Sequence, residues 1–237
     1  DIEKDDIILP RGQLLRPQEL GLAASVGRDR LSVYRRLRAA VFSTGDEVCD
    51  PSGDSIEGCI YDANRFAIMG LLDSLGCIVT DLGILPDDQN QIATALQGAV
   101  PVHDIILTSG GVSAGEEDHV KAAVEQNGTL DFWRLAIKPG RPIALGQVKG
   151  TAFVGLPGNP VAEMVTFMVI ARAMILLLGG ATNVSAPRFP VVADFDYKKK
   201  SGRREWVRAS IARNLAGQVV ASKFRSSGAG ILTSMVA

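Results

Sequence analysis

The chain is 237 residues long, with 25 Lys plus Arg against 26 Asp plus Glu and a formal net charge of −1. That near-balance excludes a bulk nucleic-acid binder, which needs a basic excess to neutralise phosphates, but it leaves room for a small anion held by a few local cations. At 46% hydrophobic and 22% charged the composition is ordinary for a globular protein, and roughly 150 residues per domain allows one large or two small domains.

No segment reads as membrane-spanning: the longest apolar candidate, Met164 to Leu178, is broken by Arg172. No charged-then-apolar leader opens the chain, so the cytoplasm is the expected location. The start at Asp1 without Met, and the end at Ala237 inside an apolar stretch, read as a piece of a longer protein. Cys49, Cys59 and Cys77 match neither a disulfide framework nor a metal-spaced pair, and are expected to be reduced. His103 and His119 are too few for a His-rich metal site or a Ser-His-Asp triad; surface or capping roles are expected. Trp133 is expected beside a sheet and Trp206 inside a C-terminal β domain.

In chain order, residues 1–34 read as a separate lobe or linker. Residues 38–44 read as a short buried strand ending at Gly45-Asp46. Asp62 or Asn64 is a natural N-cap for a helix whose core positions are Phe66, Met69, Leu72 and Leu75, closed by Gly76. Residues 77–82 form the next strand, and Pro86-Asp87-Asp88 opens a helix through Ile92 and Leu96. A third strand at 104–108 leads through Ser109-Gly110-Gly111-Val112-Ser113 into a helix from about Glu116 to Gln126. A strand around 132–137, another at 152–154 and a long helix from Pro160 complete an α/β domain over 35–180. This order predicts a mostly parallel sheet with helices on both faces. Alternating segments at 190–197, 206–213 and 218–222 predict a small β-barrel-like domain over 181–237.

In such a fold ligands sit beyond the carboxyl ends of the strands, where this chain keeps its polar motifs. Ser109, Gly110 and Gly111 end a strand before a helix and offer backbone amides to an anion, although a ligand-free tight turn has the same residues. They lack the spacing of a P-loop or of a dinucleotide fingerprint. Lys138-Pro139-Gly140-Arg141-Pro142 holds two cations on a stiff turn, which suits an oxyanion or a solvated surface. Gly155-Leu156-Pro157-Gly158-Asn159-Pro160 has a backbone shape set by two prolines, or simply starts a helix. Acidic residues follow three successive strands: Asp46 and Glu47; Asp87 and Asp88; Glu116, Glu117 and Asp118. Converging carboxylates favour a hard cation such as Mg²⁺; helix-dipole pairing explains Asp88, Glu116 and Glu117 equally well, and Glu47 less well. The basic run at Lys198-Lys199-Lys200, Arg203 and Arg204 reads as a solvated hairpin turn.

Together, Ser43-Thr44-Gly45-Asp46-Glu47, Ile60-Tyr61-Asp62-Ala63-Asn64-Arg65, Ser109-Gly110-Gly111-Val112-Ser113, Lys138-Pro139-Gly140-Arg141-Pro142 and Gly155-Leu156-Pro157-Gly158-Asn159-Pro160 resemble, in order and spacing, the molybdopterin molybdenumtransferases, the family of MoeA and the gephyrin E-domain. The resemblance runs along essentially the whole chain, and Asp1-Ile2 resembles the end of a family segment whose preceding portion would be missing. It implies molybdate insertion into adenylylated molybdopterin with release of AMP. It further implies Glu47, Asp87 and Asp118 as catalytic and Mg²⁺-binding acids, Lys138 as a catalytic cation paired with Arg141, and Pro157 and Pro160 as the turn. Arg134 and Arg141 stand where the family commonly has Lys, and Ala162 and Ala229 where Ser is common. Ser109, Gly110, Gly111, Arg134 and Arg208 complete the expected substrate contacts, Arg208 as the β-domain cation. A homodimer with a shared active site is implied, alongside other molybdenum-cofactor biosynthesis proteins, with no nucleic acid or membrane. Two other readings stand beside it: the adenylyltransferase step that precedes insertion, and a non-catalytic pterin-binding or scaffold module.

Overall fold

Alternate residues of the central strands face opposite helical layers. The computed structural model describes residues 2–53, 57–111 and 119–236. Its elements begin with α1 (Pro17–Ser25), β1 (Arg38–Thr44), β2 (Val48–Cys49), β3 (Ile60–Tyr61), α2 (Ala63–Ser74), β4 (Ile78–Leu85), α3 (Gln89–Ala99) and β5 (Ile105–Ser109). There follow α4 (His119–Glu125), β6 (Gly128–Arg134), β7 (Ile137–Lys138), β8 (Pro142–Val148), β9 (Thr151–Leu156), α5 (Pro160–Thr166) and α6 (Arg172–Leu178), the last two joined by a π-helical turn. The C-terminal strands are β10 (Val192–Ala193), β11 (Arg204–Glu205), β12 (Ala209–Arg213) and β13 (Val219–Lys223).

The main sheet runs β4-β1-β5-β9-β8-β6. The first four strands are parallel, and β8 and β6 continue it antiparallel. Ala39, Val41, Ile105, Leu107, Val154 and Leu156 pack with Ile68 and Leu72 of α2 and with Phe167, Ala171 and Ile175 of the α5–α6 helix. On the opposite face Ala40, Phe42, Ile106 and Phe153 pack with Ile92 and Leu96 of α3 and Val120 and Val124 of α4. Strands covered on both faces need unbroken apolar runs, which is why β1, β5 and β9 were readable as strands. The expected helices on both faces are therefore present. The expected small β domain is a three-stranded sheet, β10-β13-β12. Its neighbour β11 leaves that sheet and pairs with β7, Arg204 opposite Ile137, so the chain after residue 180 is bonded back onto the α/β core.

One buried ionic cluster ties the start of α2 to two neighbouring elements. The Asp62 side chain caps α2, accepting from the Arg65 amide at 3.1 Å and from Arg65 Nε at 2.9 Å. The same guanidinium donates to Asp81 of β4 and to Asp50 after β2, and Arg65 is only 1% exposed. Burial pulls against its charge, but the hydrogen bonds to Asp81, Asp62 and Asp50 outweigh burial and hold the guanidinium above the usual arginine range.

Several expectations change. In α2 Leu72 is buried and Met69 and Leu75 pack partly buried against the same core, as expected, while Phe66 is exposed and Ile68 is buried; Asn64 and Arg65 face inward because they carry polar partners there. Trp133, expected beside the sheet, is 56% exposed because β6 is an edge strand. Strand β8 was not foreseen. Cys49 and Cys59 form a disulfide, Cα atoms 6.0 Å apart, because β2 and β3 pair in register and bring them together. Cys77 is free and buried. Pro160–Leu178 is a 19-residue helical stretch long and apolar enough to cross a membrane, contrary to the reading of an apolar run broken by Arg172. Here Phe167, Ala171 and Ile175 of that helix lie in the core. His103 is buried at the end of α3, Nδ1 at 2.9 Å from Ala99 O and Nε2 at 2.8 Å from Thr80 Oγ1, as a capping role requires.

Two substitutions test this packing. Phe153→Ala removes a fully buried ring and is expected to cost about 3–5 kcal/mol in urea unfolding, with an unchanged slope. Arg65→Met leaves Asp62 buried without its cation and is expected to cost about 3–5 kcal/mol at neutral pH. Urea unfolding of the variant beside the parent chain measures the loss.

Candidate functional site

Three parallel strands end level with one another. Ser43 is in register with Ser109, and Ser109 with Leu156, so the turns after β1, β5 and β9 emerge side by side. Gly110 and Gly111 take left-handed backbone angles, φ +79° and +62°. A Cβ on Gly111 would strike Thr44 and Val120, so glycine is required both for angle and for space. Gly158 lies over Gly110, an added Cβ coming 3.7 Å from its Cα, and the Gly110 amide donates to Leu156 O at 3.1 Å. The two glycine motifs are thus one structure. The Gly110 amide is committed to Leu156 and is not available to a ligand, which corrects the expectation that both glycines offer their N–H groups.

Beneath these turns runs a buried polar chain. Asn64 Nδ2 donates to Ser109 Oγ at 2.9 Å and to Gly158 O at 2.7 Å. Ser109 Oγ donates to Glu163 Oε2 at 2.5 Å. Glu163 is wholly buried, and burial pushes its carboxyl up to about 8; the Ser109 hydrogen bond lowers it and the charge of Asp62 raises it. At neutral pH it is therefore mainly the uncharged acid.

The C-terminal segment meets the same edge. Val161 N, in the first turn of α5, donates to Ala229 O at 2.9 Å. Residues 226–228 are held by Arg208, whose guanidinium donates to Ser226 O and Gly228 O, each at 3.0 Å, and through Nε to Ser234 Oγ at 2.9 Å. Arg208 thus spends much of its donor capacity on its own loop. With Lys138, Trp206, Ser226 and Ser227 it nevertheless lines a cleft between the two parts of the chain. Lys138 Nζ lies 3.7 Å from Glu205 Oε2 there, and Trp206 N donates to Lys138 O at 2.8 Å.

The remaining expected residues fall as follows. Pro157 is buried after β9 and Pro160 opens α5. Arg134 and Arg141 are exposed at the open end of the β6–β8 pair, where Arg134 is in register with Pro142. Glu47 and Asp87 are exposed beyond the ends of the adjacent strands β1 and β4. Glu47 turns back over its own loop, Oε2 at 3.1 Å from the position a Cβ would take on Gly45. Asp88 is an N-cap, accepting from Gln91 N at 2.9 Å. Asp118, with Glu116, Glu117, Val112 and Ser113, lies outside the described residues. The donor set Glu47, Asp87 and Asp118 is oxygen only, which suits Mg²⁺; among the described residues no three potential ligands gather.

Asn64, Arg65 and Glu163 were missed as site residues. The signal for Glu163 was present: a lone acid in the otherwise apolar Val161-Ala162-Glu163-Met164-Val165.

Comparison with known proteins agrees with this geometry. Residues 40–176 match the family model described as a probable molybdopterin binding domain, and residues 190–237 match the MoeA C-terminal region, domain IV. The molybdopterin molybdenumtransferase of Haemophilus influenzae is 39% identical over 237 residues, covering 100% of this chain and 59% of that protein. Molybdopterin molybdenumtransferase 2 of Mycobacterium tuberculosis is 34% identical, covering 93% of this chain and 56% of that protein. A crystal structure of the molybdopterin biosynthesis MoeA protein from Pyrococcus horikoshii superposes with a TM-score of 0.77 at 26% identity, over 100% of this chain and 56% of that one. The chain thus spans somewhat more than half the length of these relatives. With its strand-end turns inside the first matched region and its Arg208 loop inside the second, the chain belongs to the molybdopterin-binding domain family in its MoeA form.

Proposed function

We propose that this chain carries the active site for inserting molybdate into adenylylated molybdopterin, with release of AMP. The observation that supports it most is the junction of the turns after β5 and β9 with the Arg208 loop, through Val161 and Ala229. A bare adenylyl-transfer domain would not need the C-terminal β segment, and its match to the MoeA C-terminal region favours insertion.

The substrates bring phosphates, a dithiolene and an oxyanion together, so the first task is to offset like charge. Lys138, Arg141, Arg134 and Arg208 supply the cations, and glycine at 111 lets the turn take its shape between Thr44 and Val120. Pro157 and Pro160 hold the facing turn in one shape. The bond that breaks joins AMP to the molybdopterin phosphate: water attacks the molybdopterin phosphorus and AMP leaves with the bridging oxygen and its electron pair, while the two dithiolene sulfurs bind molybdenum and one molybdate oxygen leaves as water with their two protons. No protein nucleophile is required. Mg²⁺ held by Glu47, Asp87 and Asp118 would withdraw charge from that phosphate as a Lewis acid. The resemblance extends the proposal to a cytoplasmic homodimer acting with other proteins of molybdenum-cofactor synthesis.

The test is AMP release from adenylylated molybdopterin with and without molybdate and Mg²⁺. Release that depends on molybdate is expected; tight binding without release would instead point to a pterin-binding module. Glu47→Ala is expected to cut release by about 100-fold or more, and near-normal turnover would contradict its role. Lys138→Ala removes a preorganised positive charge and is expected to cost about 100-fold, read in single-turnover assays.

A further inference from the structure

Glu163 is used by nothing in the mechanism above, yet it is fully buried directly under the paired turns. Its Oε2 receives the Ser109 hydroxyl, Ser109 receives the Asn64 amide, and Asn64 also grips Gly158 O. Three separate elements, β5, α2 and α5, together with the turn after β9, are joined by this one chain of hydrogen bonds. Its other oxygen, Oε1, has no hydrogen-bond partner among the described residues. An acid retained in such a place costs stability unless it is protonated.

We propose that Glu163 is a positioning residue for the ligand site, holding the Ser109-Gly110-Gly111 turn against Gly158 through Ser109 and Asn64. The assignment rests on the reading that these turns face the anionic substrate. As the uncharged acid it accepts the Ser109 hydrogen bond without placing a negative charge beneath a site that must take phosphates. Burial sets this state, the charged group acting on it being Asp62 of the α2 N-cap, itself paired with Arg65. Ser109 from β5 and Gly158 from the turn after β9 bring no charge. Ionisation above about pH 8 would put an anion below the glycine turn and weaken binding.

Two readouts separate this proposal from the functional reading. The first needs no ligand: amide hydrogen exchange at Gly110, whose N–H bonds to Leu156 O. Glu163→Ala is expected to raise exchange there by about tenfold or more, while Glu163→Gln, the neutral isostere, keeps it within about twofold of wild type. Unchanged exchange in Glu163→Ala would overturn the positioning role. The second is equilibrium binding of molybdopterin. Wild-type affinity is expected to fall about tenfold between about pH 7 and pH 9.5, and Glu163→Gln to remove most of that fall. An identical pH profile in Glu163→Gln would overturn the charge argument. If wild type binds no molybdopterin at any pH, the functional reading fails, and the exchange data still decide whether Glu163 positions the turn.

Discussion

The burial of β1, β5 and β9 on both faces is the constraint from which the rest follows. Their side chains alternate between two apolar layers, so neither face can hold polar chemistry without disturbing the core. At the carboxyl edge of the sheet the chain places its glycine and proline turns. Level strand ends then make two distant motifs a single structure. Gly110 and Gly158 meet because Ser109 and Leu156 are register partners.

Beneath that edge two buried polar clusters tie separate elements together. Arg65 joins the α2 start to β4 and to the Asp50 loop, and Asn64, Ser109 and Glu163 join the same helix to β5 and α5. Such buried networks are costly when half-satisfied and rigid when complete. Ser43 Oγ, Thr44 Oγ1, Thr108 Oγ1 and Glu163 Oε1 lack partners among the described residues, and all lie at this edge or just beneath it. Among the described residues the others are Arg38 Nε, at the opposite end of β1, and Trp206 Nε1 in the C-terminal segment.

The sheet was legible because doubly buried strands leave continuous apolar runs, and the caps at Asp62 and Asp88 because short polar side chains precede helical spacing. Strand β8 was not, since Gly146 and Gln147 interrupt its run and it starts at Pro142 inside a turn-forming Pro-Gly-Arg-Pro segment. Met69, Leu72 and Leu75 of α2 were legible, but Asn64 and Arg65 were not, because their burial depends on Ser109, Gly158 and aspartates elsewhere in the chain. Spacing alone could not pair Cys49 with Cys59; two-residue strands bring them together. Gly111 was legible as a turn residue, whereas its collision with Thr44 and Val120 is a fact of three-dimensional packing.

The central claim is that one ligand site spans the strand-end turns and the cleft of Lys138, Arg208, Ser226 and Ser227. It is tested most directly by locating molybdenum, from its anomalous scattering, in crystals grown with molybdate and adenylylated molybdopterin. The account predicts a molybdenum peak in that cleft, with phosphate density reaching the Gly111 turn. A peak elsewhere on the chain, with both turns empty of ligand, would contradict it.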